Sequence, residues 1–314
     1  MTGARSKLAP GMAAFIERCD ELFPPHFLDF DLAGQRACYD ALCAAFRTPR
    51  PRSLSVEEDR LTVEGFTVRL RIYRPSGAEP RRCIVYYHGG GWIFGGLDSH
   101  DSVTADLAAK ASATVIAVDY GLAPEHPFPA PVAHCYGALR HVAANADRLR
   151  IDPARLAVAG DSAGATFAVV MALRARDEGG PSLAAQLLIY PSIGLGLTEK
   201  GRSDGHGAPL LSQEEMRYYA TAYLEGRADT DEPYAAPVLA ESFGGLPPAY
   251  ILAVDPDPLV EDARLYARRL GEDGVAADLR VVEGLVHGCL RARAVCPAAA
   301  AAFDDFCAAA KAML

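Results

Sequence analysis

Leu156-Ala157-Val158-Ala159-Gly160-Asp161-Ser162-Ala163-Gly164-Ala165-Thr166-Phe167 places a short apolar run, a serine between two glycines and the start of a helical run in immediate succession. A four-residue apolar run fits a buried strand. A serine on a sharp strand-to-helix turn needs small neighbours, because only glycine two residues to either side lets the flanking backbones pass that closely. The hydroxyl then stands exposed at the carboxyl end of the sheet, next to a helix N-terminus that favours developing negative charge. Gly160-Asp161-Ser162-Ala163-Gly164 therefore reads as a nucleophile elbow. The competing reading is an ordinary glycine-rich turn. The strand before and the helix after favour the elbow.

Outward from this point, strands and helices alternate. Apolar runs at 83–87, 113–118, 185–190, 249–254 and 277–282 are, like 156–159, short enough for buried parallel strands. Helical windows fall between them at 102–110, 132–145, 163–176 and 258–270, with a terminal helix near 294–313. That order predicts a doubly wound, mostly parallel sheet with helices on both faces. Before it, Leu61, Val63, Phe66, Val68, Leu70 and Ile72 alternate about a turn at Glu64-Gly65, which predicts a two-stranded β unit. Residues 1–50 have helical spacing, interrupted at Phe23-Pro24-Pro25-His26. A second helical stretch, 212–224, breaks the alternation and predicts an excursion above the sheet.

His88-Gly89-Gly90-Gly91-Trp92 directly follows the run at 83–87. Three glycines after a strand could be a flexible loop, or a phosphate cradle, although neither phosphate fingerprint is present. They could also aim backbone N–H groups, with that of Ala163, at a tetrahedral oxyanion. The elbow downstream favours this third reading. A serine nucleophile then needs a base and an orienting acid, and in folds that carry such an elbow the acid and then the histidine follow it in the chain. Only His206 and His287 follow Ser162. His206 lies in the glycine-rich excursion and His287 just past the last strand, so His287 is the expected base. Asp255 and Asp257, at the end of the preceding strand, are the two candidate acids.

The 314 residues carry 31 Lys and Arg against 40 Asp and Glu, a net charge of −9, and half are apolar. A globular enzyme fits this balance. A nucleic-acid partner does not, since phosphate neutralisation needs clustered cations. No stretch is apolar enough to span a bilayer and no secretory leader is evident, so a cytoplasmic protein without a membrane partner is expected. The eight cysteines, at 19, 38, 43, 83, 135, 289, 296 and 307, form no C-x-x-C pair. Reduced thiols and no bound metal are expected.

Taken with the segments 96–101 and 119–130, the motifs at 88–92, 160–164, 257–259 and 287–288 resemble those of the bacterial hormone-sensitive-lipase-like esterases of the α/β-hydrolase fold. The likeness covers about residues 80–290. It implies an α/β-hydrolase domain over 51–314, with a cap built from residues 1–50 and a second element near 200–226. It implies Ser162, Asp257 and His287 as the catalytic triad and Gly90, Gly91 and Ala163 as oxyanion donors, with Gly89 ranked behind them. The expected function is hydrolysis of short- to medium-chain carboxylic esters without a cofactor, the partner being a small-molecule ester. Amide hydrolysis, acyl transfer or a silent ligand receptor are the alternatives. An exposed last strand would allow a homodimer. The sequence departs from the family at Gly121, where arginine is usual, at Cys289, where phenylalanine is usual, and at Val260-Glu261-Asp262, where the acidic pair is reordered. Glu125 and His126 are expected to brace the floor of the site. Trp92 either packs under the glycine loop or lines the pocket.

Overall fold

In the computed structural model, residues 7–76, 82–195, 207–227 and 229–314 are described. The sheet among them has eight strands: β1 (Leu54–Val63), β2 (Phe66–Pro75), β3 (Cys83–Tyr87), β4 (Thr114–Asp119), β5 (Leu156–Asp161), β6 (Ala185–Ile189), β7 (Ala249–Asp255) and β8 (Ala277–Glu283). Their order is β1-β2-β4-β3-β5-β6-β7-β8. β2 runs antiparallel to both neighbours, and every pair from β4 to β8 is parallel. The hairpin closes with Val63 opposite Phe66. Both turn residues have positive φ, Glu64 at 50° and Gly65 at 84°, the two-residue geometry that matches the twist of the flanking strands.

The helices are α1 (Met12–Leu22), α2 (Leu32–Ala45), α3 (Asp101–Ala111), α4 (Ala130–Ala144), α5 (Ala146–Leu149), α6 (Ala163–Asp177), α7 (Gln213–Tyr223), α8 (Val260–Glu272) and α9 (Pro297–Met313). Strand alternation divides the core into two layers. Val85 and Val158 face the layer shared with α4, α6 and α8, whereas Ile84, Tyr86, Ala157 and Ala159 face that of α1, α3 and α9. Phe303 and Phe306 of α9 are fully buried there, and each such ring stabilises the fold by roughly 1.5–3 kcal/mol over exposure. Among the described residues no helix is long and apolar enough to cross a membrane.

Three local features differ from the expected pattern. β8 is not a buried strand: its residues alternate between partly buried and exposed, because it has β7 as its sole neighbour in the sheet. α8 starts two residues late, because the Asp257 side chain accepts the Leu259 N–H at 2.8 Å. The last helix starts at Pro297, after a separate 3₁₀ turn, Cys289–Ala294. Of the expected excursion, residues 200–206, with His206, lie outside the described residues, as do residues 1–6 of the N-terminal segment. The rest of the excursion begins α7 with a reciprocal cap. Ser212 Oγ accepts from Glu215 N at 3.1 Å, and Glu215 Oε2 accepts from Ser212 N at 2.6 Å.

The N-terminal helices pack on the loops at the carboxyl end of the sheet. Phe27, Tyr39 and Cys43 cluster with Ile93, Phe94 and Ala123. Arg36 of α2 fastens this contact. It donates to the Ile93 and Ala123 carbonyls, both at 3.1 Å, and forms a two-point ion pair with Glu125 at 2.6 and 2.7 Å. Thus Glu125 braces α2. Its carboxyl is held below the ordinary range, chiefly by the Arg36 hydrogen bonds. Arg36→Leu is expected to loosen α2 while leaving the sheet in place. Hydrogen exchange should speed up about tenfold or more over Leu32–Ala45 and little in β3 and β5. Equal acceleration in the strands would contradict it.

Candidate active site

Leaving β3, the chain winds one way to β4, and leaving β5 it winds the other way to β6. A crevice opens where the winding reverses, beyond the carboxyl ends of the strands. The glycine loop leaves β3 there, and Ser162 leaves β5. Ser162 has φ 52° and ψ −124°, a strained conformation for a residue with a Cβ. A Cβ on Gly160 would lie 2.3 Å from the Gly164 carbonyl oxygen, and one on Gly164 would lie 2.0 Å from that of Tyr87. Close approach therefore demands both glycines. The Ser162 N–H donates to the Ile189 carbonyl at 2.9 Å, which pins the elbow to the end of β6.

The structure brings Ser162, His287 and Asp257 together. Ser162 Oγ stands 2.9 Å from His287 Nε2, and His287 Nδ1 stands 2.8 Å from Asp257 Oδ2. Asp257 is buried, and its other oxygen holds the Leu259 N–H. Asp255 remains in β7, paired with Glu283, and its backbone carbonyl accepts the Gly284 N–H at 2.7 Å. Pro256 turns the chain between the two aspartates. Cys289 is buried, and burial pushes its thiol far above the usual range.

In the glycine loop, Gly90, Gly91 and Trp92 all have positive φ, at 127°, 59° and 62°. Gly90 and Gly91 line the same cavity as Ser162, Ala163 and His287. The Gly89 N–H instead donates to Asp161 Oδ1 at 3.0 Å. That carboxylate also accepts from the Tyr86 hydroxyl at 2.7 Å, and its second oxygen stands 3.2 Å from His100 Nε2. Burial alone would raise the Asp161 carboxyl, but His100, Arg291 and Tyr86 outweigh it and hold the group well below the usual carboxylate range. Nothing in the sequence singles out Asp161. Its bond to Gly89 joins residues 72 apart, a separation with no periodic signature.

A family model for the alpha/beta hydrolase fold matches residues 84–291. The chain belongs to the α/β-hydrolase family. The sequence is 41% identical over 254 residues to the carboxylesterase NlhH of Mycobacterium tuberculosis, covering 79% of this chain and 80% of that one. It is 31% identical over 296 residues to an ethyl acetate hydrolase of Pseudomonas putida, covering 90% and 92%. A hyperthermophilic esterase from the archaeon Pyrobaculum calidifontis superposes with a TM-score of 0.90 at 34% identity, over 98% and 99% of the two chains.

The cavity of this α/β-hydrolase has a volume of about 290 Å³. Phe15 and Phe23 at the N-terminal helices line one side, and Leu211, Met216 and Tyr219 line another. Of the two roles expected of it, Trp92 takes the second: it lines the cavity, and it stacks on Tyr223 of α7 with ring centres 4.8 Å apart. His126 braces the hairpin, its ring 4.7 Å from that of Phe66. At Gly121 a Cβ would lie 2.8 Å from ring atoms of His126 and His134. Those two rings fill the space that a side chain at this position would need. Asp262 accepts the Ile193 and Gly194 N–H groups at 2.9 and 3.0 Å, so the reordered acidic pair holds the chain that follows β6.

Two histidines make the fold acid-sensitive. Burial, reinforced by neighbouring His100, pushes His88 down from 6.5 to about 3. Burial and His126 push His134 down to about 4. The unfolded chain therefore binds more protons below pH 6.5, and stability falls as pH drops from there toward the folded values. Between about pH 7 and 5 each histidine should remove roughly 2 kcal/mol. The carboxylates held low, such as Asp161, add their loss only below about 3.8. Urea midpoints across this range should fall steeply in the wild type. The fall should be shallower in His134→Gln, whose amide oxygen can still accept the Gly121 N–H that His134 Nδ1 takes at 3.1 Å. A flat wild-type profile would refute the assignment.

Proposed function

We propose that this protein is a carboxylesterase that hydrolyses short- to medium-chain acyl esters through an acyl-serine intermediate. The observation that carries this reading is the unbroken hydrogen-bonded chain from Ser162 Oγ through His287 to Asp257, opening into a cavity that also holds Gly90, Gly91 and Ala163. Ser162 Oγ forms a bond to the ester carbonyl carbon while its proton passes to His287 Nε2. Asp257 keeps the imidazole in the tautomer that can accept at Nε2 and stabilises the cation that forms. The carbonyl oxygen becomes an oxyanion, held by the N–H groups of Gly90, Gly91 and Ala163. Gly89 has no part in this, since its N–H serves Asp161.

Collapse of this intermediate breaks the bond to the alcohol oxygen, which takes the proton from His287 and leaves. A water molecule then gives a proton to His287 and attacks the acyl carbon. Ser162 departs with the proton returned, and the free acid is released. In this reading α1, α2 and α7 form a cap, and their apolar side chains bound the space for the substrate.

Ser162→Ala is expected to abolish hydrolysis of 4-nitrophenyl butyrate while leaving the circular dichroism spectrum unchanged. In a serine protease, replacing the orienting aspartate by asparagine lowers turnover by roughly 10⁴. Asp257→Asn should accordingly lose at least about 10², and Asp255→Asn less than about tenfold, by the same tautomer argument. The opposite ranking in folded variants would transfer the orienting role to Asp255. Chain length provides a separate check. A cavity of about 290 Å³ lies at the small end of ligand sites, so kcat/KM should fall beyond about eight acyl carbons. Faster turnover of emulsified long-chain triglycerides than of soluble butyrate esters would count against it.

A further inference from the structure

Among the described residues the cavity wall contains one guanidinium, that of Arg291, in the 3₁₀ turn four residues beyond His287. Its Nη2 donates to the Tyr39 hydroxyl at 2.7 Å and to Cys43 Sγ at 3.3 Å, and its central carbon lies 5.2 Å from the centre of the Tyr39 ring. Burial pushes the Tyr39 phenol far above its ordinary range, so this partner is a neutral hydroxyl rather than an anion. Nε is buried without a hydrogen-bond partner. Among the described residues Arg291 has no carboxylate within ion-pair distance.

Arg74 and Arg269 also lack an ion pair among these residues, but they donate to backbone carbonyls, and other arginines are paired with carboxylates. Arg36 pairs with Glu125, Arg71 with Glu58, Asp98 and Asp101, and Arg293 with Asp106. Asp161 acts on Arg291 only through space, and none of the described carboxylates that line the cavity makes an ion pair with it. Asp161 is committed to Tyr86, Gly89 and His100. Glu215 caps α7 through Ser212, and Asp20 is exposed on α1. An arginine stays charged at any working pH, and holding such a cation partly out of water without an anion in contact is costly. The surrounding wall is aromatic, with Phe15, Phe23, Phe27 and Phe94. In so apolar a setting the charge is weakly screened.

We propose that Arg291 is a specificity-determining residue that selects esters carrying a carboxylate, such as half-esters of dicarboxylic acids. The carboxylate accepts the N–H groups that Tyr39 and Cys43 leave free, supplying an anion in direct contact, while Ser162 attacks the uncharged ester carbonyl. This inference rests on the esterase reading above. A charge-assisted bond of this kind is made equally in the bound substrate and in the transition state, so it acts mainly on KM.

Two substrate pairs test it in a pH-stat. Ethyl hydrogen adipate against ethyl hexanoate puts the carboxylate on the acyl side, and 4-acetoxybutanoate against butyl acetate puts it on the alcohol side. In the wild type, one pair should favour the anionic member by about tenfold or more in kcat/KM. Arg291→Met should collapse that ratio to about one or below, through a raised KM for the anionic ester. Should that variant not fold, Arg291→Lys and the wild type at raised salt supply the same comparison. Salt should raise KM for the anionic ester and leave the neutral one flat. Brisk turnover of neutral esters with no gain from the carboxylate in either pair overturns this inference alone. No hydrolysis of any of the four sinks the esterase reading as well.

Discussion

The buried carboxylate of Asp161 ties together the two loops on which the site is built. It lies one residue before Ser162 at the end of β5, and it accepts the first N–H of the glycine loop that leaves β3. Tyr86 and His100 hold the carboxylate in turn, so elbow and loop behave as one rigid piece. Without it, the Gly89 N–H and the Tyr86 hydroxyl would be buried without an acceptor, at about 1–3 kcal/mol each. The three residues with positive φ that follow Gly89 would also lose their anchor. In the proposed mechanism the same bond divides labour within the loop, because a donor committed to the scaffold cannot also serve a reacting oxygen.

Roof and floor share their supports. Tyr39 of α2 stacks against Phe94 in the glycine loop, with ring centres 5.3 Å apart. It also receives a hydrogen bond from Arg291 on the histidine side of the site. Gly91 is bare because Tyr219 of α7 occupies the space of its Cβ, only 2.6 Å away. A displacement of either covering segment therefore reaches the loop directly, without passing through the sheet.

What could be read from the sequence follows how locally each feature is encoded. The elbow, the glycine loop and His287 were legible because each is a short motif placed against a strand end, where a few residues set the geometry. The parallel sheet was legible from the order of apolar runs. The choice between Asp255 and Asp257 needed a family likeness, because both lie at one strand end and differ only in where Pro256 turns the chain. Partnerships across long separations were not legible. Arg36 with Glu125, Asp161 with Gly89 and Arg291 with Tyr39 join residues 89, 72 and 252 apart, and no periodicity marks such pairs. The half-exposed face of β8 had a local signal, since Asp278 and Arg280 alternate with Ala277, Leu279 and Val281, and the sheet order then puts the strand on an edge.

The unpaired cysteines are distributed through the layers of the molecule in a way that makes them internal markers. Cys83 lies in β3 and Cys135 in α4, while Cys19 and Cys43 lie in the helices above the cavity and Cys307 in the last helix, all of them buried. Burial keeps thiols such as Cys83 and Cys135 protonated, and a protonated, enclosed sulfur does not react with an alkylating reagent. Cys38 alone is partly exposed. The order in which the others acquire label would therefore record the order in which covering helices, flanking helices and sheet come apart, with no reporter added to the chain.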